Sequence, residues 1–353
     1  MIESAGCEVT CSGSILGWDI GGVNTKATRL ALQPAGESLS LCLPYELQLN
    51  PSALGETLLG AARQLGGDAG DHHAITMTAE LSQAFRSKRE GVGFILDALE
   101  ATFPPERLHV YTVGGNFVSP HEARRQPLDV AASNWSATAH WIVTLVPTCV
   151  LVDIGTTTTD LIPIVDEEVS VRARTDLDRL GTGELVYTGV LRTPVEAVTD
   201  QVPVRGKPTG LAAEAFALMG DAYLWLGSLR SEDYTCPTPD GRPATRQFAG
   251  ERLARAVCAD REMLDDEDIT QVAGALCGAQ LQQISKALGS IRLRNPRIDT
   301  AVVTGLGAFI GLQAARAAGL ETRLLSESVK VPLQAAPATA VAWLLHASLA
   351  AAR

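Results

Sequence analysis

The sequence predicts an α/β protein built from two related lobes, and three observations support this. The chain has 353 residues, more than a single hydrophobic core usually serves. DIGGVNTK at 19–26 and DIGTTTTD at 153–160 align without a gap, which indicates an internal repeat. Strand-like and helical patterns, starting with the two strands of the first copy, run in the order β-β-β-α-β-α-β.

The second copy lies in residues 148–169, TCVLVDIGTTTTDLIPIVDEEV. Two β-rich runs around a short turn predict a hairpin. Gly155 lets the backbone approach a ligand, and Asp153 at the strand end could hold Mg²⁺ through waters. Groups that can hold phosphate oxygens come from four threonines, Thr156, Thr157, Thr158 and Thr159. The alternative is an ordinary threonine-rich hairpin, because threonine favours strands.

The first copy, in residues 14–32, repeats the pattern as SILGWDIGGVNTKATRLAL. Asp19 aligns with Asp153, and Lys26 aligns with Asp160. The residues of this turn that we predict to bind phosphate are Gly21, Gly22, Asn24 and Thr25. Two such loops facing each other across a central cleft would hold a polyphosphate and a metal ion, with Asp19 and Asp153 as the metal ligands.

The rest of the first half alternates strands and helices, and its order matches one lobe of a ribonuclease-H-like fold. His72 and His73 fall in a Gly/Asp-rich turn and are expected to face solvent. Glu80 ends a strand. The predicted strands are 38–48, 74–81 and 109–113, and the predicted helices are 52–65, 83–103 and 131–146. We interpret the last helix as the crossover between lobes.

The second half starts at the 148 hairpin and ends in an alanine-rich helix. Residues 182–204 are expected to be irregular with short strands, and the proline-rich stretch 231–247 a long, functional loop. The other predicted elements are a strand at 300–304 and helices at 211–229, 250–258, 268–288, 308–318 and 337–352. We place the first lobe at 1–133, closed by 337–353, and the second at 134–336.

A strand–turn–helix junction follows the 300–304 strand. Its residues are Gly305, Leu306, Gly307 and Ala308. A helix N-terminus of this kind suits a nucleotide or a diphosphate group. The alternative is a tight turn that uses glycine for packing alone.

Composition limits the class of protein. The chain is 46% hydrophobic and 20% charged, with a net charge of −11, which argues against a general nucleic-acid binder. No apolar run reaches the roughly 18 residues that span a membrane. The first 14 residues lack a signal-peptide pattern, so we expect a cytoplasmic protein. Seven cysteines without a CxxC motif are expected to be free thiols.

These motifs carry a resemblance to a known family. DIGGVNTK, DIGTTTTD and VVTGLGAF resemble the two phosphate loops and the adenosine loop of the acetate kinase, sugar kinase, heat-shock protein 70 and actin superfamily, whose fold is that of the actin-like ATPases. TMTAEL, VDIGTTTTDLIPI and GELVYTGVLRTPVEAV are similar to its hydantoinase/oxoprolinase-like branch. Within that branch the chain resembles the methanofuran-biosynthesis synthases of tetrahydromethanopterin-linked C1 metabolism.

The resemblance implies a transferase that joins an aminomethylfuran diphosphate to the phenol oxygen of a γ-glutamyltyramine-type acceptor and releases diphosphate. A bacterial-type cofactor, methylofuran, would use a tyrosine-type phenol, and the sequence leaves the acceptor open. Mg²⁺ near Asp19 and Asp153, together with Lys26 and the loop N–H groups, would stabilise the leaving diphosphate. Asp160 and Glu80 are candidate bases toward the phenol. For Asp160 the alternative is a structural contact with Lys26 or the threonine hydroxyls, and for Glu80 a solvated acid.

Other functions share these loops. An ATP-dependent small-molecule kinase would use Asp160 or Glu80 toward a substrate hydroxyl, and a non-catalytic ATP-binding switch protein would use no base. ATP-dependent ring opening of hydantoin or oxoproline is disfavoured, because at 353 residues we expect the chain to lack the partner subunit or extra domain that such enzymes use. Small-molecule substrates are the expected partners, and a homodimer is left open.

Overall fold

The computed structural model describes residues 13–31, 38–329 and 331–351. These residues form two compact units. Unit 1 comprises the described parts of Met1–Leu43, Leu47–Ala137 and Pro337–Arg353, and unit 2 comprises Pro44–Glu46 and Thr138–Ala336. Cys7 and Cys11 lie outside the described residues, and the five described cysteines form no disulfide.

Unit 1 is organised around a six-stranded sheet with the order β3-β2-β1-β4-β5-β6. Its strands are β1 Ser14–Ile20, β2 Asn24–Ala31, β3 Ser38–Pro44, β4 His72–Met77, β5 Leu108–Tyr111 and β6 Phe117–Val118. β1 and β2 form an antiparallel hairpin, while β4 pairs with β1 in parallel. All seven residues of β1 are buried, as befits a central strand covered on both faces.

Helices connect and cover these strands. They are α1 Leu54–Gln64, α2 Lys88–Thr102, α3 Pro120–Arg125, α4 Pro127–Val130 and α5 Asn134–Val143, which leads into unit 2. The helix predicted at 83–103 starts later, because Ser87 caps its first turn by accepting a hydrogen bond from Glu90 N at 3.2 Å.

The prediction that His72 and His73 lie in an exposed turn is wrong. Both belong to β4, and His73 is 2% exposed. Its ring stacks on Phe103 with centroids 3.9 Å apart, and Trp18 Nε1 donates to His73 Nδ1 at 3.1 Å. β4 starts at His72, two residues before the apolar run that begins at Ala74. Tertiary packing therefore buries residues whose local sequence resembles a turn.

Unit 2 has a sheet of the same plan. Its strands are β7 Cys149–Ile154, β8 Thr159–Val165, β9 Glu168–Val169, β10 Leu185–Val186, β13 Thr300–Thr304 and β14 Glu321–Leu324, and a separate hairpin is formed by β11 Gln201–Val204 and β12 Lys207–Gly210. The order is β10-β8-β7-β13-β14, with β9 beside β8. As in unit 1, an antiparallel hairpin, β7–β8, is extended by a parallel strand on its other side.

The helices of unit 2 follow the order of the chain. They are α6 Asp176–Thr182, α7 Met219–Trp225, α8 Arg246–Ala256, α9 Asp266–Arg294, α10 Ala308–Ala317 and α11 Leu325–Ser328, after which α12 Ala336–Ala351 closes the described chain. α9 extends beyond the predicted 268–288 at both ends: a capping box at Asp265 starts it two residues earlier, and it continues to Arg294. The residues described include no helix long and apolar enough to span a membrane.

The predicted helix at 211–229 is confirmed only for α7. Before it, backbone N–H groups bond to distant partners: Ala212 N to Ala256 O at 2.9 Å and Met219 N to Thr193 O at 2.8 Å. Ala215 has a φ of 47°, which a helix does not allow. Long-range hydrogen bonds therefore override the local preference for helix.

The α/β class and both predicted hairpins are confirmed. The two sheets have the hairpin-plus-parallel arrangement expected of ribonuclease-H-like lobes. α6 and β14 were not predicted, because their short apolar patterns resemble loop sequence.

Candidate active site

Loop 1, defined as residues 19–26, joins β1 to β2. Its turn closes through Gly21 N, which donates to Asn24 O at 3.1 Å. Asp19 lies opposite Lys26 in the strand register, and Lys26 Nζ is 2.7 Å from Asp19 Oδ2. The side chain of Asp19 is buried, and that of Lys26 is 23% exposed. The hairpin thus fixes a lysine–aspartate pair at the end of the central strand.

Part of the polar surface in loop 1 is buried without a protein partner. Among the described residues, Asp19 Oδ1 and Thr25 Oγ1 have no hydrogen-bond partner. A buried carboxylate oxygen of this kind is costly unless a ligand or ion completes it. Mg²⁺ is typically bound by one or two carboxylates with water and phosphate oxygens, so Asp19 fits this ion. The described residues contain no group of three or more potential metal-binding side chains.

Loop 2, defined as residues 153–160, joins β7 to β8 with the same turn. Gly155 N donates to Thr158 O at 2.9 Å, at the offset used by Gly21 and Asn24 in loop 1. The half-exposed threonines are Thr156, Thr157 and Thr158. Thr159 is buried, and its hydroxyl donates to Thr188 O at 2.7 Å. Three of the four predicted threonines therefore have accessible side chains, while the fourth binds protein.

Loop 3, defined as residues 305–308, lies directly against loop 2. β13 pairs with β7 so that Thr304 is opposite Asp153. Gly305 has a φ of +88°, and a Cβ there would overlap Asp153 Oδ1. Gly307 N donates to Ile154 O at 2.9 Å and caps the N-terminus of α10. A helix N-terminus thus lies beside the carboxylate of Asp153, an arrangement that can bind a phosphate together with its cation.

Asp160 has a structural partner that the sequence did not indicate. Arg179 Nη2 is 2.6 Å from Asp160 Oδ1, and Arg179 also donates to Glu184 O at 3.1 Å. The arginine side chain is 1% exposed. Lys26, one predicted structural partner of Asp160, forms an ion pair with Asp19 within loop 1, and its contact with Asp160 stays a prediction. A tightly paired carboxylate is a weaker candidate for a base than an unpaired one.

Glu80 is buried instead of solvated, so the alternative of a solvated acid is wrong. Its side chain is 1% exposed, and Lys88 Nζ lies 3.4 Å from Glu80 Oε1. Thr78 N and Ala79 N donate to Ile20 O at 2.9 and 3.1 Å, so the segment that carries Glu80 lies beside the start of loop 1. Lys88, on the first turn of α2, was missed because only the fold brings it to Glu80.

Loop 2 is supported by residues within the stretch GELVYTGVLRTPVEAV, which also carries the family resemblance. We call residues 188–193 the backing segment. Val190 N donates to Gly155 O at 3.0 Å, and Leu191 N donates to Thr156 O at 3.1 Å. A Cβ at Gly189 would stand 2.5 Å from Thr157 N, so only glycine allows this approach. The backing segment therefore sets the position of the loop 2 backbone.

Gln280 on α9 holds the backing segment from behind. This fully buried side chain donates to Thr188 Oγ1 at 2.6 Å and to Gly189 O at 2.8 Å. It accepts from Tyr223 Oη, also at 2.6 Å. Thr193 Oγ1 accepts from Gly189 N at 2.9 Å. A network with every member satisfied makes a rigid support.

Each unit thus assembles part of the predicted site. Unit 1 brings Glu80 close to loop 1, with Asp19 and Lys26 paired inside that loop. Unit 2 brings together Asp153, loop 2, loop 3 and the backing segment. The expectation that both loops share one ligand stays a prediction. Cys236, in the long loop of unit 2, is buried, and burial raises the pKa of its thiol to about 12.

Comparison with known proteins identifies a family model and two proteins that are similar to this chain in sequence. A family model described as Hydantoinase/oxoprolinase matches residues 71–348. The chain is 41% identical over 297 residues to a Methanocaldococcus jannaschii protein, (4-{4-[2-(gamma-L-glutamylamino)ethyl]phenoxymethyl}furan-2-yl)methanamine synthase, covering 84% of this chain and 87% of that protein. A Methanococcus vannielii protein of the same name is 36% identical over 166 residues, or 46% of this chain and 72% of that protein.

Comparison with solved structures identifies a protein of similar fold. Acetone carboxylase, solved without nucleotide, matches with a TM-score of 0.61 and 11% sequence identity, covering 93% of this chain and 70% of that chain. At this identity the likeness concerns the fold alone, and it confirms the predicted actin-like ATPase fold. The family model spans most of the sequence, and the first relative is similar over most of both chains. The chain therefore belongs to the hydantoinase/oxoprolinase family.

Proposed function

We propose that this protein is a transferase of methanofuran-type cofactor biosynthesis. It joins an aminomethylfuran diphosphate to the phenol oxygen of a γ-glutamyltyramine- or tyrosine-type acceptor and releases diphosphate. The observation that carries this proposal is the 41% identity, over 84% of the chain, to the Methanocaldococcus jannaschii synthase. The name of that relative describes a phenoxymethylfuran, which is an aryl ether.

The reaction exchanges one carbon–oxygen bond for another. The bond between the furfuryl carbon and the diphosphate breaks, and the diphosphate leaves with the electron pair. The phenol oxygen bonds to the same carbon, and its proton passes to a base. The furan ring delocalises positive charge on the carbon, so the main requirement is stabilisation of the leaving diphosphate.

The loops supply suitable groups for that task. In unit 2, the N-terminus of α10 lies against Ile154 of loop 2, and loop 2 also carries the accessible threonines. In unit 1, Lys26 is a half-buried cation beside Asp19. Mg²⁺ held by Asp19 or Asp153 would neutralise charge on the diphosphate. Preorganised donors of this kind are the main means of stabilising phosphate leaving groups.

We assign the base to Glu80 instead of Asp160. The Asp160 carboxylate is 2.6 Å from a fully buried arginine, and this ion pair already engages it. The contact between Glu80 and Lys88 is longer, at 3.4 Å, and Lys88 is 21% exposed. This longer contact is the reason we favour Glu80 over Asp160.

The test is a reconstitution without nucleotide. Enzyme, Mg²⁺, aminomethylfuran diphosphate and either tyramine- or tyrosine-type phenol are incubated, and ether and diphosphate are measured by mass spectrometry and a diphosphate assay. We expect equal amounts of both products, with no dependence on ATP. Ether that forms only with ATP, or phosphorylation of the furan alcohol, would replace this proposal with the kinase alternative.

A further inference from the structure

Arg192 occupies a distinct position on the backing segment. Its backbone N donates to Thr156 O at 3.0 Å, so this residue touches loop 2 directly. Its neighbours Leu191 and Thr193 are buried, at 0% and 5% exposure, whereas the side chain of Arg192 is exposed. Arg192 therefore carries an exposed cation on backbone that is bonded to loop 2, and its charge also acts on the thiol of Cys236.

This arginine lacks the partners that others in unit 2 have. Arg179, Arg205 and Arg252 each form an ion pair with an aspartate. Within the described ranges, Arg192 forms no ion pair with a carboxylate, and its charge acts on the thiol of Cys236, whose pKa is raised by burial. In a chain of net charge −11, this cation is left available for a ligand.

The backbone that carries Arg192 is firmly held. Gln280 and Thr193 fix the two ends of the segment through the hydrogen bonds already described. Three backbone bonds from residues 190–192 fix it to loop 2. The backbone of Arg192 is therefore already fixed before an anion binds. Binding then restricts only the side chain, which lowers the entropic cost.

We propose that Arg192 binds the terminal phosphate of the substrate diphosphate held at loop 2. A guanidinium group presents two parallel N–H donors that match two phosphate oxygens. The inference rests on the proposed function for the identity of the substrate, and the binding of a diphosphate group itself is tested separately. Arg192 thereby acts in substrate affinity and in stabilising the leaving group.

The test compares two substitutions with a matched control. Arg192→Gln removes the charge. Arg192→Lys keeps the charge but lacks the planar guanidinium group with its two parallel N–H donors. The control is Arg316→Gln, which removes another exposed arginine, from the last turn of α10, about 12 Å along the helix from loop 3. Calorimetry with inorganic diphosphate and Mg²⁺ gives Kd, and the ether assay gives kcat and KM for each substrate.

For Arg192→Gln we expect Kd for diphosphate and KM for the furan substrate to rise roughly ten- to hundredfold. We expect a smaller rise for Arg192→Lys, an unchanged KM for the phenol, and unchanged values for Arg316→Gln. Ether formation with an unaltered Kd in Arg192→Gln would overturn this inference and leave the proposed function standing. Weakened diphosphate binding in a protein that forms no ether would support Arg192 and reject the proposed function.

Discussion

Lys26 Nζ lies 2.7 Å from Asp19 Oδ2, across the β1–β2 pair, and leaves the other oxygen of the carboxylate buried without a protein partner. The equivalent register position in the second hairpin, opposite Asp153, holds Asp160, which Arg179 neutralises from α6. The repeat thus keeps its backbone turn while the charge at its last position is reversed. The two loops consequently offer different electrostatic surroundings to a ligand.

Asp153→Asn tests the role of loop 2. The substitution keeps the size of the side chain and removes the charge that would hold a cation, so we expect activity to fall about a hundredfold or more. Little change in the unfolding temperature is expected. Ether formation is measured over a range of Mg²⁺ concentrations. Asp200→Asn, at an exposed residue just before β11, is the control, and near-wild-type turnover of Asp153→Asn would make that residue structural only.

Arg179→Met tests the buried ion pair with Asp160. The side chains are 1% and 9% exposed, so removing the arginine leaves a buried charge without its partner. We expect the free energy of unfolding to fall by about 3–5 kcal/mol. Denaturant titration measures this change. The double variant with Asp160→Asn should recover part of the lost free energy of unfolding. An Arg179→Met variant whose free energy of unfolding stays within about 1 kcal/mol of wild type, which is the range of a surface ion pair, would contradict the prediction.

Gln280→Leu tests the support of the backing segment. The variant leaves the hydroxyls of Thr188 and Tyr223 without their buried partner, so we expect about 1–3 kcal/mol of lost stability. Because Gly189 contacts loop 2, KM for the furan diphosphate should rise more than KM for the phenol. Gln283→Leu, one turn along α9 and hydrogen-bonded to Ala197 O and Val198 O, is the control. Equal changes in both KM values would indicate a general loss of structure.

Glu80→Gln tests the assigned base. The amide cannot accept the phenolic proton, so we expect kcat to fall roughly 10²- to 10⁴-fold. The acidic limb of the pH–kcat profile should disappear in this variant. Glu106→Gln, at an exposed glutamate before β5, is the matched control. Retention of the wild-type pH profile by Glu80→Gln would assign the base elsewhere.

Two histidines in the sheet of unit 1 predict a pH dependence of stability. Burial lowers the pKa of His73 from 6.5 to about 3 and, with the neighbouring charge of His72, lowers that of His109 to about 4. The folded protein keeps both rings neutral while the unfolded chain binds protons near pH 6.5. The free energy of unfolding should therefore fall as the pH decreases from about 6.5 to about 4.

The His73→Gln variant isolates this effect. Glutamine still offers an oxygen to Trp18 Nε1 but does not titrate, so the slope of stability against pH should decrease. Denaturant titrations between pH 4 and pH 8 measure the slope. His121→Gln, at an exposed histidine on α3, should leave it unchanged. An undiminished slope in His73→Gln would place the titrating group elsewhere.

The sequence determined the features that depend on neighbouring residues. Both hairpins, their Asp-Ile-Gly turns and the helix start after Gly307 were predictable, because apolar periodicity and turn chemistry act within a few residues. The α/β class followed from the order of these local patterns. The family could be recognised because its motifs are continuous stretches of sequence.

The tertiary structure alone decided which side chains meet. Arg179 reaches Asp160 across 19 positions of sequence, and Gln280 reaches Thr188 across 92. His73 is buried because β4 lies between β1 and β5, although its sequence neighbours resemble a turn. Such contacts depend on strand order and helix packing, which the local pattern does not encode, since local preferences differ by less energy than burial and long-range hydrogen bonds supply.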